Sequence, residues 1–126
     1  MVQKNHLESN VIFCGRTKQI LEEYKKAAMY VMTSRTEGFG LVLTEAKSCN
    51  LPTLAYDIDF GPREIIEDGV SGYLVKAYDS DVMAEKICEL IENEEKKSTF
   101  FRNEQRIIVE SSREILLLIN GLIFLI

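Results

Sequence analysis

A chain of 126 residues, 46% hydrophobic and 28% charged, is one domain's worth of sequence with apolar side chains enough for a single core. Its net charge of −5 argues against a surface built for nucleic acid or anionic membrane. Cys14, Cys49 and Cys88 are widely spaced, make no CxxC pair and have only His6 as imidazole company, which argues against a zinc site or a disulfide framework. They read as small core or helix residues in a reducing cytoplasm, and no metal or cofactor is expected.

Residues 1–10 are polar, lack the apolar stretch of a secretory signal and read as a leader. Val11-Ile12-Phe13-Cys14, stopped by Gly15, predicts a short buried strand. Thr17 then caps a helix expected over Thr17–Met29, with Ile20, Leu21, Tyr24, Ala27 and Ala28 at helical spacing and Glu22, Glu23, Lys25 and Lys26 opposite. Tyr30-Val31-Met32-Thr33-Ser34 is the next strand, Val42–Cys49 the next helix, and Asn50 its left-handed stop. A strand over Pro52–Tyr56 carries its proline at the first position. Pro62–Glu67 predicts a short helix with proline in its opening turn and Gly69 beyond its end. Gly72–Val75 is a strand, and Asp79 or Ser80 opens a helix running to about Asn93.

Short strands alternating with helices predict an α/β domain, a Rossmann-like parallel sheet with helices on both faces. Ligands of such sheets collect at the carboxyl ends of the strands, so the loops after Ser34, Tyr56 and Gly61 should share one crevice. Tyr56 and Tyr73 are expected in the core. Glu104–Arg113 reads as part of a closing helix. The apolar run Ile115–Ile126 is too short to span a bilayer, which takes about 20 helical residues, so no transmembrane span is expected; it reads as an aberrant end or as a tail packed on the domain or on a second copy. The expected division is a leader over 1–10, the domain over 11–100 and a helix or tail over 101–126.

The stretch from Ser34 to Ala46 joins a strand to a helix through a corner bracketed by Gly38 and Gly40, with Glu37 before it and Glu45 about a turn into the helix. A glycine loop opening a helix presents N–H groups without intrahelical partners, and the helix dipole adds partial positive charge, a combination that suits a phosphate. The two carboxylates would then accept hydroxyls on either side of that phosphate, as a nucleotide-sugar offers. A packing corner with two solvated acids satisfies the same spacing.

The wording Glu37-Gly38-Phe39-Gly40-Leu41, with Glu45 after a seven-residue gap, resembles the donor-site motif of the retaining glycosyltransferases of the GT-B fold, group 1 or family 4. The run from Tyr56 to Gly69, followed by Gly72-Tyr73-Leu74-Val75, is similar to the poly(glycerol-phosphate) α-glucosyltransferases of teichoic acid synthesis and their relatives that glycosylate bacterial adhesins. The resemblance covers Val11 to Glu92 and implies the later part of a C-terminal, donor-binding domain. It implies that Glu37 approaches the donor hexose hydroxyls, that backbone amides of Gly38, Phe39, Gly40 and Leu41 approach the diphosphate, and that Glu45 accepts the ribose. Glu64 is a second sugar contact or an acid stabilised by the helix dipole. Arg63 steadies a phosphate or lies on the rim, and Asp57 and Asp59 line the crevice or end the strand. The implied partners are a UDP-sugar donor and an N-terminal acceptor domain that this chain does not supply; the family's early Arg and Lys phosphate clamp has no counterpart before Val11. Two readings follow: the donor-binding part of a hexosyltransferase acting on a cell-surface polymer or glycoprotein, or a non-catalytic relative that only binds a partner.

Overall fold

The runs 29–32 and 72–76 carry large apolar side chains at both odd and even positions, and 53–57 adds Leu54 and Tyr56 on one side and Ala55 on the other, so each strand needs a cover on both faces of its sheet. The computed structural model, which describes residues 3–36, 38–103, 116–119 and 122–125, supplies both covers. Glu37 and the helix expected over Glu104–Arg113 lie outside the described residues.

After a 3-10 turn at Gln3–Asn5 come β1 (Val11–Phe13), α1 (Ile20–Lys26), β2 (Met29–Met32), α2 (Leu41–Ser48), β3 (Thr53–Asp57), α3 (Pro62–Ile65), β4 (Gly72–Lys76), α4 (Ser80–Glu92) and α5 (Glu94–Asn103). Two further strands follow, β5 (Leu116–Ile119) and β6 (Leu122–Leu125). Strands β2, β3 and β4 form a parallel unit in register, with Tyr30 opposite Thr53 and Thr53 opposite Gly72. The fit at Gly72 is close: a Cβ there would lie 2.3 Å from the Thr53 carbonyl oxygen.

Side-chain alternation sorts the core into two layers. Tyr30, Met32 and Ala55 face α1, α2 and α3, where Tyr24, Val42, Leu43, Ala46 and Ile66 pack on them. Met29, Val31, Leu54, Tyr56, Tyr73 and Val75 face α4 and α5, meeting Met83, Leu90 and Phe100. The expected α/β arrangement, with helices on both faces of a parallel sheet, is therefore present in β2–β3–β4, and Tyr56 and Tyr73 are core residues.

The sheet as a whole has six strands in the order β1-β6-β5-β2-β3-β4. Strand β5 runs antiparallel to β2 and to β6, and β6 runs parallel to β1. Strand β1 thus joins the sheet through the C-terminal hairpin, without touching β2. The apolar run at the C-terminus lies, where described, in that sheet.

Several local expectations need correction. Helix α1 is shorter than Thr17–Met29: Ala27 is already extended, because Met29-Tyr30-Val31-Met32 is an apolar run that the sheet takes whole. Thr17 does not cap it; its Oγ1 accepts from the Gln19 N–H at 3.0 Å, a local turn ahead of the helix. Of the cysteines, Cys88 is a helix residue on α4 and Cys49, at the end of α2, packs half-buried against the core, both as expected, whereas Cys14 is exposed and belongs to neither; all three are free thiols.

Candidate functional site

Helix α2 begins at a corner that only glycine builds easily. Gly40, its N-cap, has φ +61°, and Gly61, which opens α3, has φ +93°, both in the left-handed region that a Cβ disfavours. The two loops touch backbone to backbone. A Cβ on Gly61 would lie 3.1 Å from the Gly40 nitrogen, and one on Gly40 would lie 2.9 Å from Ile65 Cδ1. Loops at the carboxyl ends of β2 and β3 are therefore in close contact.

In α2 the first N–H to bond back is that of Leu43, to the Gly40 carbonyl at 2.9 Å. The amides ahead of it open the helix, where N–H groups lack intrahelical acceptors and the dipole is positive. Gly38 and Phe39 are exposed, Gly40 is buried and Leu41 half-buried, so this loop runs from solvent into the fold. Phe39 is 78% exposed and Phe60, on the facing loop, 67%; neither phenyl ring serves the core.

Glu45 lies on the second turn of α2, half-buried. Nearby on α1, Tyr24 is buried edge-on against Tyr30, with ring centroids 5.7 Å apart. Its phenol makes no hydrogen bond among the described residues, and burial first, then the charge of Glu45, then Cys49, push its pKa up. Glu64 stands exposed in the first turn of α3. Arg63 is committed: its guanidinium forks onto Asp57 at the end of β3, with Nε donating to Oδ1 and Nη2 to Oδ2 at 3.1 Å. That hydrogen bond foremost, and the carboxylate charge, raise the Arg63 pKa. Asp57 holds the arginine beside the glycine contact.

Two residues gave no functional signal in the sequence yet fix this edge. Lys47, on α2, donates to the Ile65 carbonyl at 2.7 Å and to Ser71 Oγ at 3.1 Å, closing the C-terminal end of α3. Asp68 accepts from the Leu74 N–H at 2.9 Å, tying the turn after α3 to β4. Their partners lie in other elements, so no local motif could have marked them.

A groove of about 780 Å³ opens at the opposite edge of the sheet, between Ala27, Cys49, Leu51, Pro52 and the start of α5. It is far from the glycine contact in the fold and holds none of the acids expected to bind a sugar. Among the described residues, no three His, Cys, Asp or Glu side chains converge, and no helix is long and apolar enough to cross a membrane.

With this geometry in place, comparison with known proteins is specific. The family model described as "Glycosyl transferases group 1" matches residues 1–107. A poly(ribitol-phosphate) alpha-N-acetylglucosaminyltransferase of Staphylococcus aureus is 35% identical over 113 residues, covering 87% of this chain and 22% of its own. A poly(glycerol-phosphate) alpha-glucosyltransferase of Bacillus subtilis is 31% identical over 112 residues, covering 89% of this chain and 17% of its own. The crystal structure of S. aureus TarM with fondaparinux, alpha-GlcNAc-glycerol and UDP superposes with a TM-score of 0.79 at 33% identity, over 82% of this chain and 21% of that one. The chain thus spans about a fifth of the length of these proteins.

Proposed function

Because the chain belongs to the group 1 glycosyltransferases, a family of the GT-B fold, we propose that residues 11–100 are the nucleotide-sugar-binding part of a retaining hexosyltransferase. The donor is a UDP-sugar, and the acceptor a cell-surface polymer or glycoprotein held by an N-terminal domain of the longer enzyme. The observation that carries the reading is the contact of Gly40 with Gly61, which sets the opening of α2 beside the opening of α3 at the carboxyl edge of the sheet. A diphosphate there is met by the amides of Gly38, Phe39, Gly40 and Leu41. Glu45, further along α2, accepts the ribose hydroxyls, while Glu37 and Glu64 take hexose hydroxyls. None of these acids touches the phosphates, since like charges repel. The S. aureus and B. subtilis relatives, named for transfer to ribitol- and glycerol-phosphate polymers, support the acceptor class, and the UDP in the TarM complex supports the nucleotide.

Titration of the chain with UDP and UDP-glucose, followed by amide chemical shifts, tests this. Each charge-assisted hydrogen bond to a carboxylate is worth about 1.5–3 kcal/mol, so Glu45→Gln weakens both ligands about tenfold or more. Glu37→Gln weakens only UDP-glucose. Amides at the glycine corner that stay unshifted at millimolar ligand, or equal losses for both ligands in both variants, would refute these assignments.

A further inference from the structure

We infer that Tyr24, on α1, is a positioning residue for Glu45, its phenol donating to the carboxylate while that carboxylate accepts the ribose. The inference rests on the nucleotide reading above and brings a second helix to the same site.

Tyr24 buries a proton without an acceptor. The residue has no exposed surface, and its hydroxyl makes no hydrogen bond among the described residues. An unpaired O–H in a core is costly, and a phenylalanine would fill the same space without that cost. The ring is firmly held: it meets Tyr30 edge-on, with centroids 5.7 Å apart and planes at 89°. A buried donor this well fixed and left unpaired calls for a partner that the free protein does not bring within reach.

Helix α2 carries the partner. Residues three and four apart share a helix face, so Val42, Glu45 and Cys49 form one stripe running to the end of α2. Val42 and Ala46 belong to the core cluster of Tyr24, and Cys49 packs against that cluster. Tyr24 therefore lies along the stripe that holds Glu45, which is half-buried there. Burial above all, then the charge of Glu45, then Cys49, keep the phenol protonated, and so a donor. Of the two neighbours the carboxylate is the stronger acceptor, because an ionised partner about doubles a hydrogen bond. The protein already makes such a pair elsewhere: the Tyr73 hydroxyl donates to Glu89 at 2.7 Å. In the ligand complex one oxygen of Glu45 takes the Tyr24 proton and the other the ribose hydroxyls. The phenol thus fixes the rotamer of a side chain half in solvent, a contact that tightens on binding.

The test uses the full chain and Tyr24→Phe, which deletes one oxygen and keeps the ring. Because the phenol lacks a partner in the free protein, the melting temperature should stay level or rise. UDP, titrated by amide shifts, should nevertheless bind about tenfold more weakly, while inorganic pyrophosphate, which has no ribose, binds as before. A tyrosine that served packing alone would give neither the loss nor the selectivity. Adding Glu45→Gln closes a double-mutant cycle: once Tyr24→Phe is in place, the second change should cost less than about twofold more. Additive losses overturn the inference, as does an equal loss of UDP and pyrophosphate. So does a UDP affinity that Glu45→Gln lowers and Tyr24→Phe leaves unchanged, a result under which the nucleotide reading still stands. If neither substitution weakens UDP, the ribose assignment of Glu45 and the role of Tyr24 fall together.

Discussion

A methyl group at position 61 has nowhere to go: it meets the Gly40 nitrogen at 3.1 Å and the Gly40 Cα at 3.3 Å, and the backbone φ of +93° is itself strained for any residue with a Cβ. Gly61→Ala should lower stability by about 1–3 kcal/mol in urea unfolding, and shift the amides of Phe39 and Gly40 in the folded protein. Gly15 is the control. Its φ is also positive, but nothing lies within 4 Å of its missing Cβ, so Gly15→Ala should cost only about 1 kcal/mol, the backbone strain alone. Residues of this kind are readable in a sequence when the constraint is local. Asn50 was legible as a left-handed stop, and has φ +59°, because Asn after a helix tolerates that conformation by itself. The glycines of the corner were legible for the same reason. The ion pair of Arg63 with Asp57 was not among the readings of either residue, since a strand-end acid and a helix-start arginine meet only once the turn between them is folded. Lys47 was invisible, as its acceptor lies eighteen positions away on another element.

At the level of elements, α5 is fastened to β4 and α4 through one carboxylate. Glu89 accepts from Lys86 Nζ at 2.8 Å, from Lys96 Nζ and from the Tyr73 hydroxyl at 2.7 Å, while both ammonium groups lie over the Tyr73 ring, at 4.6 and 5.1 Å from its centroid. Phe100 closes the same ring edge-on at 5.2 Å. The lysine hydrogen bonds, Lys86 first, hold the Glu89 pKa down to about 2 from its ordinary 4.5. A folded pKa below the unfolded one stabilises the protein fully above the unfolded value and loses that stabilisation as pH falls. The melting temperature should therefore drop between about pH 4.5 and pH 2, and Glu89→Gln should flatten that slope, as measured by circular dichroism across the acid range. Sequence periodicity gave α4 nearly to the residue, Ser80–Glu92 with Asp79 as its cap accepting from the Val82 N–H at 3.2 Å, because cap and amphipathic face lie in one continuous stretch. It overran α1, where helical spacing and the start of an apolar strand share the same residues.

On the scale of the molecule, the parallel unit β2–β3–β4 was legible from alternating strand and helix patterns, whereas the antiparallel insertion was not. A hairpin far along the chain carries no mark of which strand it will join, since any apolar run pairs with any open edge. Amide exchange should rank the sheet accordingly: slowest in β2 and β3, whose side chains are buried on both faces, and fastest in β1, which has no buried residue. Comparable protection of β1 and β3 would contradict the observed burial. The register that seats Val11 opposite Ile123 also sets an order of assembly. Bringing such distant residues together requires closing nearly the whole chain as a loop, an entropic penalty that grows with separation and slows the contacts that incur it. Pairing of β2 with β3 and of β3 with β4 closes far shorter loops. On a ribosome, β1, α1 and β2 all emerge long before β6 exists. For most of its synthesis, the first strand can reach the second and has no sixth to meet, so the arrangement the nascent chain samples first is the one the finished sheet excludes.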